Sequence, residues 1–343
     1  MPLAPVDDKG THLWYEDSGI PWACPNYTTL VLLHGGVFHG AIFKPMIPYA
    51  LQRGIRLVMV NLRDYPGSTS YSWAELCALR STKLETQRSI LQQRGLEIAT
   101  FLRWYILNEN IPVAPSPQVD HNTCGGGLAL LAWSWGVAIA MAFLAQAATL
   151  PQQDKWRLGS YLKSIIFLDG SCHALGVPMQ AVAGLYHPLL DTRILAKDKG
   201  RAFQRWVTAY YAHRIPEIIT FPFATLEEVR AGLVQYPSTD SSSEHMDSAD
   251  RVLYQEHDEV TDSGVAERSQ LLHMNFGEAV HREMVQLGMC DASTWPHLQT
   301  KLVWCDKSVA EVEVEFIRYR GANHMPHWNE PERTMTLLAK LIR

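Results

Sequence analysis

Residues 125–149 place a buried strand directly before a helix, and this junction constrains the fold most. GGGLALLAW is a glycine turn followed by a continuous apolar run, which is typical of a strand buried on both faces. GVAIAMAFLAQAATL has the composition and periodicity of a helix. Ser134 stands between them, with the small residues Ala132 and Gly136 two positions away on either side. A sharp strand-to-helix corner has room only for small residues there, so the pattern predicts an exposed nucleophilic hydroxyl. A serine that bonds a local carbonyl is the alternative.

The rest of the chain alternates strands with helices. Apolar or alternating runs predict strands, and the longest helical pattern covers residues 83–108. The predicted strands lie within residues 11–19, 28–36, 55–70, 161–170, 300–306 and 311–320. A last helix is predicted over EPERTMTLLAKLIR, with acidic residues in its first turn as the helix dipole favours. This order predicts an α/β fold with a mainly parallel sheet and helices on both faces.

The alternation is interrupted after Gly170. Residues 171–296 have helical patterning and no strong strand, and they include a serine-rich loop at 238–250 that we expect to be sensitive to proteases. The interruption predicts a core of residues 1–170 and 297–343 with a helical lid inserted at 171–296.

Composition excludes several classes of protein. The chain has 343 residues, a formal net charge of -5 and no basic run, which argues against a nucleic-acid partner. We find no secretory signal and no apolar stretch long enough to span a membrane. The fourteen histidines and six cysteines show no spacing typical of metal ligands. The cysteines are scattered along the chain, which suggests reduced thiols and not a set of disulfides. We therefore expect a cytoplasmic protein that acts on a small-molecule substrate without metal; whether it forms a homodimer stays open.

Four motifs, taken in order, resemble one family over nearly the whole chain. LLHGGVFHG places two glycines after a strand, NLRDYPGST follows the next strand, the corner carries Ser134, and GANHMPHW places His324 after the last strand. In this order the chain resembles the α/β-hydrolase family, and within it fungal-type members with R-D-Y-x-G-S and A-N-H motifs. The resemblance implies the α/β-hydrolase fold and an enzyme that needs no cofactor.

The resemblance also implies roles for individual residues. Ser134 would be the nucleophile and His324 the general base. The backbone N–H groups of Gly36 and Trp135 would form the oxyanion hole, with Val37 as the alternative donor to Gly36. Because the nucleophile is serine and not aspartate, epoxide hydrolase and haloalkane dehalogenase chemistry is disfavoured.

Substrate contacts are expected from three side chains. Trp135 follows the nucleophile and would form a wall of the pocket, which favours an apolar or aromatic acyl group. Val37 and His173 would also contact the substrate. His34 is expected to order its own loop, Trp133 to pack in the core, and both His39 and His327 to lie at the surface or behind the residues that contact substrate.

The acid of the triad is ambiguous in the sequence. Family members usually carry it after the strand that follows the lid, and there this chain has Ser308, with Asp306 close by. Only five residues would separate Asp306 from a last strand beginning near Val312, which is short for a parallel crossover. Asp169 ends the strand after the corner helix, where a subset of the family carries its acid. We therefore predict that Asp169 accepts the His324 Nδ1–H; the alternative is a carboxylate that only caps the turn into the lid.

The leading hypothesis is a serine hydrolase, an esterase or lactonase acting on an ester, lactone or thioester through an acyl-enzyme. A lyase, acyl-transfer or cyclisation enzyme of secondary metabolism would use the same residues. A hydrolase-like ligand receptor that keeps the triad is the third alternative. Fold resemblance alone does not choose among them.

Overall fold

The computed structural model describes residues 2–22, 24–115, 125–171, 174–176, 186–188, 191–195, 198–209, 211, 279–283, 294–305, 308 and 317–342. Eight strands in this part of the chain form one sheet: β1 (Leu3–Pro5), β2 (His12–Asp17), β3 (Thr28–Leu33), β4 (Ile55–Val60), β5 (Leu128–Trp133), β6 (Leu162–Leu168), β7 (Gln299–Cys305) and β8 (Ile317–Tyr319). The helices are α1 (Ile47–Gln52), α2 (Trp73–Leu79), α3 (Leu84–Asn108), α4 (Gly136–Gln146), α5 (Gln152–Tyr161), α6 (Lys199–Val207), α7 (Pro326–Asn329) and α8 (Pro331–Leu341). Short 3-10 helices cover Gly40–Met46 and Ala147–Thr149.

The strand order in the sheet is β1-β2-β4-β3-β5-β6-β7-β8. From β4 to β8 all neighbouring strands are parallel, and β1 and β2 are antiparallel additions at one edge. The predicted mainly parallel sheet is confirmed. Its parallel strands end at the same edge, where active sites of open α/β sheets form.

Alternate residues of the central strands enter two cores. In β3, Val31 and Leu33 belong to the core under α3 and α4, whereas Leu30 and Leu32 belong to the core under α1 and α8. All four side chains are fully buried. Burial on both faces explains why this strand reads as an unbroken apolar run.

Helices α3 and α4 approach each other more closely than side chains normally allow. A Cβ at Gly95 of α3 would lie 2.5 Å from the carbonyl carbon of Ala142 and 2.6 Å from the backbone nitrogen of Phe143, both in α4. Helix backbones come this near only where one of them carries a glycine. Since α4 begins two residues after Ser134, this contact fixes the helix that follows the corner.

Two described pieces of the predicted lid touch the core. Phe203 and Val207 of α6 are buried in the core cluster that contains Trp133. Within the helical residues 279–283, the buried carboxylate of Glu283 accepts hydrogen bonds from Arg88, Gln92 and Gln146. The serine-rich loop at 238–250 lies outside the described residues, so the lid and its boundaries stay a prediction.

Candidate active site

Ser134 occupies the corner between β5 and α4 in a left-handed backbone conformation. Its φ is 54°, which is uncommon for a residue with a side chain and often marks a functional site. Its backbone N–H donates to the carbonyl of Leu168, at 3.0 Å, so the corner is tied to the end of β6. The hydroxyl therefore stands at the edge where the parallel strands end.

Glycines make room for this corner. A Cβ at Gly35 would lie 2.7 Å from Ser134 Cβ and 3.1 Å from its Oγ. A Cβ at Gly136 would lie 2.7 Å from the carbonyl oxygen of His34. The expected need for a small residue at position 136 thus has a backbone atom as its cause. Gly35 is small for a different reason, because the atoms nearest to it belong to the side chain of Ser134.

Asp169 and His324 form a buried pair at the same edge. Asp169 Oδ2 lies 2.6 Å from His324 Nδ1, and the two residues are 1% and 2% exposed. Asp169 Oδ1 accepts the backbone N–H of Cys305 at 3.0 Å. Because a carboxylate accepts hydrogen bonds and does not donate them, a neutral imidazole in this place bonds it through Nδ1–H and leaves Nε2 as the nitrogen that can take up a proton. Asp306, the other acid considered, lies outside the described residues.

Ser308 is a second neighbour of the same ring nitrogen. Its Oγ lies 3.3 Å from His324 Nδ1, and the residue is fully buried. Its backbone N–H donates to the Cys305 carbonyl. The sequence singled out position 308 only as one lacking an expected acid, and its contact with His324 was not predicted.

Trp133 does more than pack in the core. Its Nε1–H donates to the His324 carbonyl at 2.9 Å, and its ring lies 5.0 Å from the imidazole, centroid to centroid. Phe38 and Phe43 pack against the same indole. The residue before Ser134 therefore fixes the backbone of His324, a role that composition alone could not indicate.

Asn323 links the loop of His324 to the inserted segment. Its Oδ1 accepts the Met325 N–H at 3.0 Å and the Asn329 side-chain amide at 2.9 Å. Its Nδ2 donates to the Thr208 carbonyl, just after α6, at 2.8 Å. The asparagine of the A-N-H motif therefore has a structural role in this chain, because its side chain holds the His324 loop against the segment after α6.

His34 orders the glycine loop, as expected. Its Nδ1–H donates to the Gly35 carbonyl at 2.7 Å, and its Nε2 accepts the Leu62 N–H at 3.0 Å. Complete burial lowers the pKa of His34 to about 3, so the ring is neutral near pH 7. A neutral ring fits one donated and one accepted hydrogen bond.

The R-D-Y-P-G-S segment packs beneath the glycine loop. The Arg63 guanidinium donates to the carbonyls of Thr69 and Ser70 and to the carboxylates of Glu75 and Glu97, which folds the segment back on itself. Tyr65, in the same segment, reaches the glycine loop through its hydroxyl. The motif therefore has a structural role in this chain.

The N–H of Val37 is already engaged. It donates to the Tyr65 hydroxyl at 3.1 Å, and Val37 has a φ of 73°. The Val37 N–H would have to give up this bond before it could donate to a substrate oxygen. Trp135 and Val37 are 3% and 1% exposed, and Trp135, Tyr65 and Gly35 line a cavity of about 30 Å³, large enough for one or two waters. His173 lies outside the described residues.

Two histidines near the site are buried, so a surface position for either is wrong. His39 is 6% exposed and accepts the Ala41 N–H at the start of the 3-10 helix. Burial, with a smaller contribution from Lys44, lowers its pKa to about 4. His327 is fully buried between Phe43 and Trp133.

His327→Leu is expected to stabilise the protein by about 1 kcal/mol. Neither ring nitrogen of His327 has a hydrogen-bond partner among the described residues, and a buried unsatisfied polar group costs roughly 1–3 kcal/mol. Leucine has a similar volume and no polar atoms. Urea unfolding of both proteins near pH 7 measures the difference.

The pH dependence gives a second test of His327. Burial, and to a lesser extent the nearby His324, hold the pKa of His327 well below its ordinary value. As pH falls below about 6.5, His327 becomes protonated in the unfolded state but stays neutral in the folded state. The free energy of unfolding therefore falls. The advantage of His327→Leu should therefore grow from pH 7 to pH 5. An advantage that stays constant, or a destabilised variant, contradicts the assignment.

The described residues contain no group of three His, Cys, Asp or Glu side chains placed to hold a metal ion. Among the described helices, none combines the length and apolar character needed to cross a bilayer.

Comparisons with known proteins agree with this architecture. A family model described as the alpha/beta hydrolase family matches residues 30–336. Among curated proteins, none matches this chain by sequence.

Three solved structures share the fold. Wild-type Cfl2 from Burkholderia cenocepacia is 14% identical, with a TM-score of 0.54 over 99% of this chain and 95% of that one. The 2-hydroxy-6-oxo-6-phenylhexa-2,4-dienoate hydrolase from Rhodococcus sp. strain RHA1 is 13% identical, with a TM-score of 0.53 over 99% and 96%. The epoxide hydrolase CorEH is 14% identical, with a TM-score of 0.50 over 97% and 95%. At such identities the likeness concerns the fold alone.

Proposed function

Because the chain belongs to the alpha/beta hydrolase family, we propose that it is a cofactor-independent serine hydrolase. It cleaves an ester, lactone or thioester of a small to medium apolar substrate through an acyl-enzyme on Ser134. The observation that carries the proposal is the buried 2.6 Å contact between His324 Nδ1 and Asp169 Oδ2. A carboxylate in that place orients the imidazole and stabilises the imidazolium that forms during acyl transfer.

In the proposed mechanism Ser134 Oγ attacks the acyl carbon and His324 Nε2 takes its proton. The N–H groups of Gly36 and Trp135 donate to the oxyanion, for which each donor contributes about 10²–10³ in rate. His324 then gives its proton to the leaving oxygen or sulfur. Water then attacks the acyl carbon while the same nitrogen takes its proton, and that proton passes to Ser134 Oγ as the acyl–oxygen bond breaks and the acid leaves.

The substrate class rests on the residues that flank the nucleophile. Trp135, itself a proposed oxyanion donor, and Val37, next to Gly36, carry apolar side chains that are almost fully buried, and such apolar surroundings favour an apolar acyl group over a charged one. We further propose that His173 and the inserted segment 171–296 cover this group and set its size.

A fluorophosphonate probe is expected to label Ser134 stoichiometrically and no other serine. Such probes phosphonylate a hydroxyl that has both a neighbouring base and oxyanion donors. Peptide mapping by mass spectrometry identifies the labelled residue. Ser164→Ala, which removes a buried hydroxyl of β6 away from the corner, should label as the wild type does, and Ser134→Ala should not label.

Turnover separates hydrolysis from the other chemistries open to this fold. Steady release of p-nitrophenol from p-nitrophenyl butyrate, lost in Ser134→Ala, supports the hydrolase. Label on another serine, or folded protein that takes no label, contradicts the nucleophile. One turnover followed by a stable acyl-enzyme contradicts hydrolysis and favours acyl transfer.

A further inference from the structure

Two oxygens approach one nitrogen of His324 from different strands. Asp169, just after β6, places Oδ2 at 2.6 Å from Nδ1. Ser308, three residues after β7, places Oγ at 3.3 Å from the same atom. Both residues are buried, so bulk water does not compete for this nitrogen.

The proton count fixes the direction of the serine contact. The carboxylate of Asp169 can accept a hydrogen bond but has no hydrogen to donate, so the hydrogen of this contact stands on Nδ1. A nitrogen that carries a proton donates, so Ser308 Oγ faces it as an acceptor. The short and the long contact together make a three-centre hydrogen bond, with Asp169 as the stronger acceptor.

We propose that Ser308 is a positioning residue that shares the Nδ1–H of His324 with Asp169 and holds the ring in plane as it becomes imidazolium. This role rests on the proposed function of the site. A single acceptor leaves a ring free to rock about that bond, whereas two acceptors on different strands define its plane.

The same geometry makes position 308 a second place from which a carboxylate can reach His324. In Ser308→Asp, the carboxyl carbon would lie close to the position that Ser308 Oγ now occupies, 3.3 Å from His324 Nδ1. A carboxyl oxygen lies about 1.2 Å from its carbon, and charge-assisted N–H···O bonds span about 2.7–2.9 Å. An oxygen of that carboxylate can therefore take up a hydrogen bond to Nδ1.

The test compares Ser308→Ala, Asp169→Asn and the double variant Asp169→Asn/Ser308→Asp in the full chain, with Ser164→Ala as the matched buried-serine control. The first measurements are kcat and KM on p-nitrophenyl butyrate. Ser308→Ala should lower kcat about three- to tenfold with KM unchanged, the effect of one hydrogen bond. The double variant should be about tenfold more active than Asp169→Asn, because the carboxylate at position 308 favours a proton on Nδ1 while the amide at position 169 still favours one on Nε2.

A second readout does not depend on turnover. The low-field proton resonance of His324 Nδ1–H in NMR should move in Ser308→Ala and stay in place in Ser164→Ala. A Ser308→Ala protein with unchanged kcat and an unmoved resonance overturns the proposal. So does a double variant that melts cooperatively but is no more active than Asp169→Asn. If the double variant does not fold, Ser308→Ala decides alone. If the wild type cleaves no ester, the hydrolase proposal fails, and the resonance still decides the role of Ser308.

Discussion

Asp169→Asn is expected to lower kcat on p-nitrophenyl butyrate by about 10⁴-fold in a protein that remains folded. Asparagine has nearly the same shape as aspartate, so packing changes little. The expected loss of kcat comes from the orientation of the new amide between its two neighbours, the Cys305 N–H and the His324 ring.

The neighbours of Asp169 determine how that amide turns. Its Oδ1 accepts the Cys305 N–H, at 3.0 Å, and only the oxygen of an asparagine amide can replace this acceptor. The NH₂ group must then face His324 Nδ1, which has to accept. The ring proton moves to Nε2, the nitrogen that should take the proton of Ser134, and the base is lost.

Asp306→Asn is the matched control, since it makes the same change at the other candidate acid. It should retain near-normal kcat, and both variants should melt within a few degrees of the wild type. A loss of several orders of magnitude in Asp306→Asn, with Asp169→Asn near normal, would transfer the role of the acid to Asp306.

Gly95→Ala is expected to destabilise the protein by about 3 kcal/mol, the upper part of the range for overpacking. In an ordinary helix interior the same change stabilises by about 1 kcal/mol, because alanine is the better helix former. The sign reverses here because the new methyl group would stand 2.5 Å from backbone atoms of α4, which cannot turn aside as a side chain can.

Urea unfolding followed by circular dichroism measures this difference. Leu96→Ala serves as the control, since Leu96 is the next residue of α3 and is 38% exposed. It should change the free energy of unfolding by no more than about 0.5 kcal/mol. Because α4 follows the corner, Gly95→Ala should also slow labelling of Ser134 by the fluorophosphonate. Unchanged or increased stability would mean that α3 and α4 can separate at little cost.

The sequence predicted the sheet well where its strands are buried on both faces. Strands such as β3 and β5 read as short apolar runs that follow turn residues, whereas the apolar run of α4 is longer and rich in alanine. It missed β1, which has three residues and only Ala4 buried, too short for any periodicity. It also missed α2, although Ser72 and Glu75 form a capping box there, a signal present in the letters SWAE.

At the candidate site, local motifs predicted positions but not contacts. The corner of Ser134 follows from its immediate neighbours, and the pairing of Asp169 with His324 followed from resemblance and strand order. The contacts of Ser308 with His324 and of Asn323 with Thr208 join residues that are 16 and 115 positions apart in the chain. No periodicity or spacing encodes such contacts, because they depend on how the strands pack side by side.

The separation of Asp169 from His324, 155 residues along the chain, bears on the order of events during synthesis. The contacts of the Ser134 corner involve residues no later in the chain than Leu168, so the corner can form while the ribosome is still extending the chain. The imidazole of His324 arrives only after β8 has been made. A nascent chain therefore holds the Ser134 hydroxyl without the His324 imidazole, so any chemistry that needs both groups can begin only after the segment carrying His324 has been made and has folded against β6.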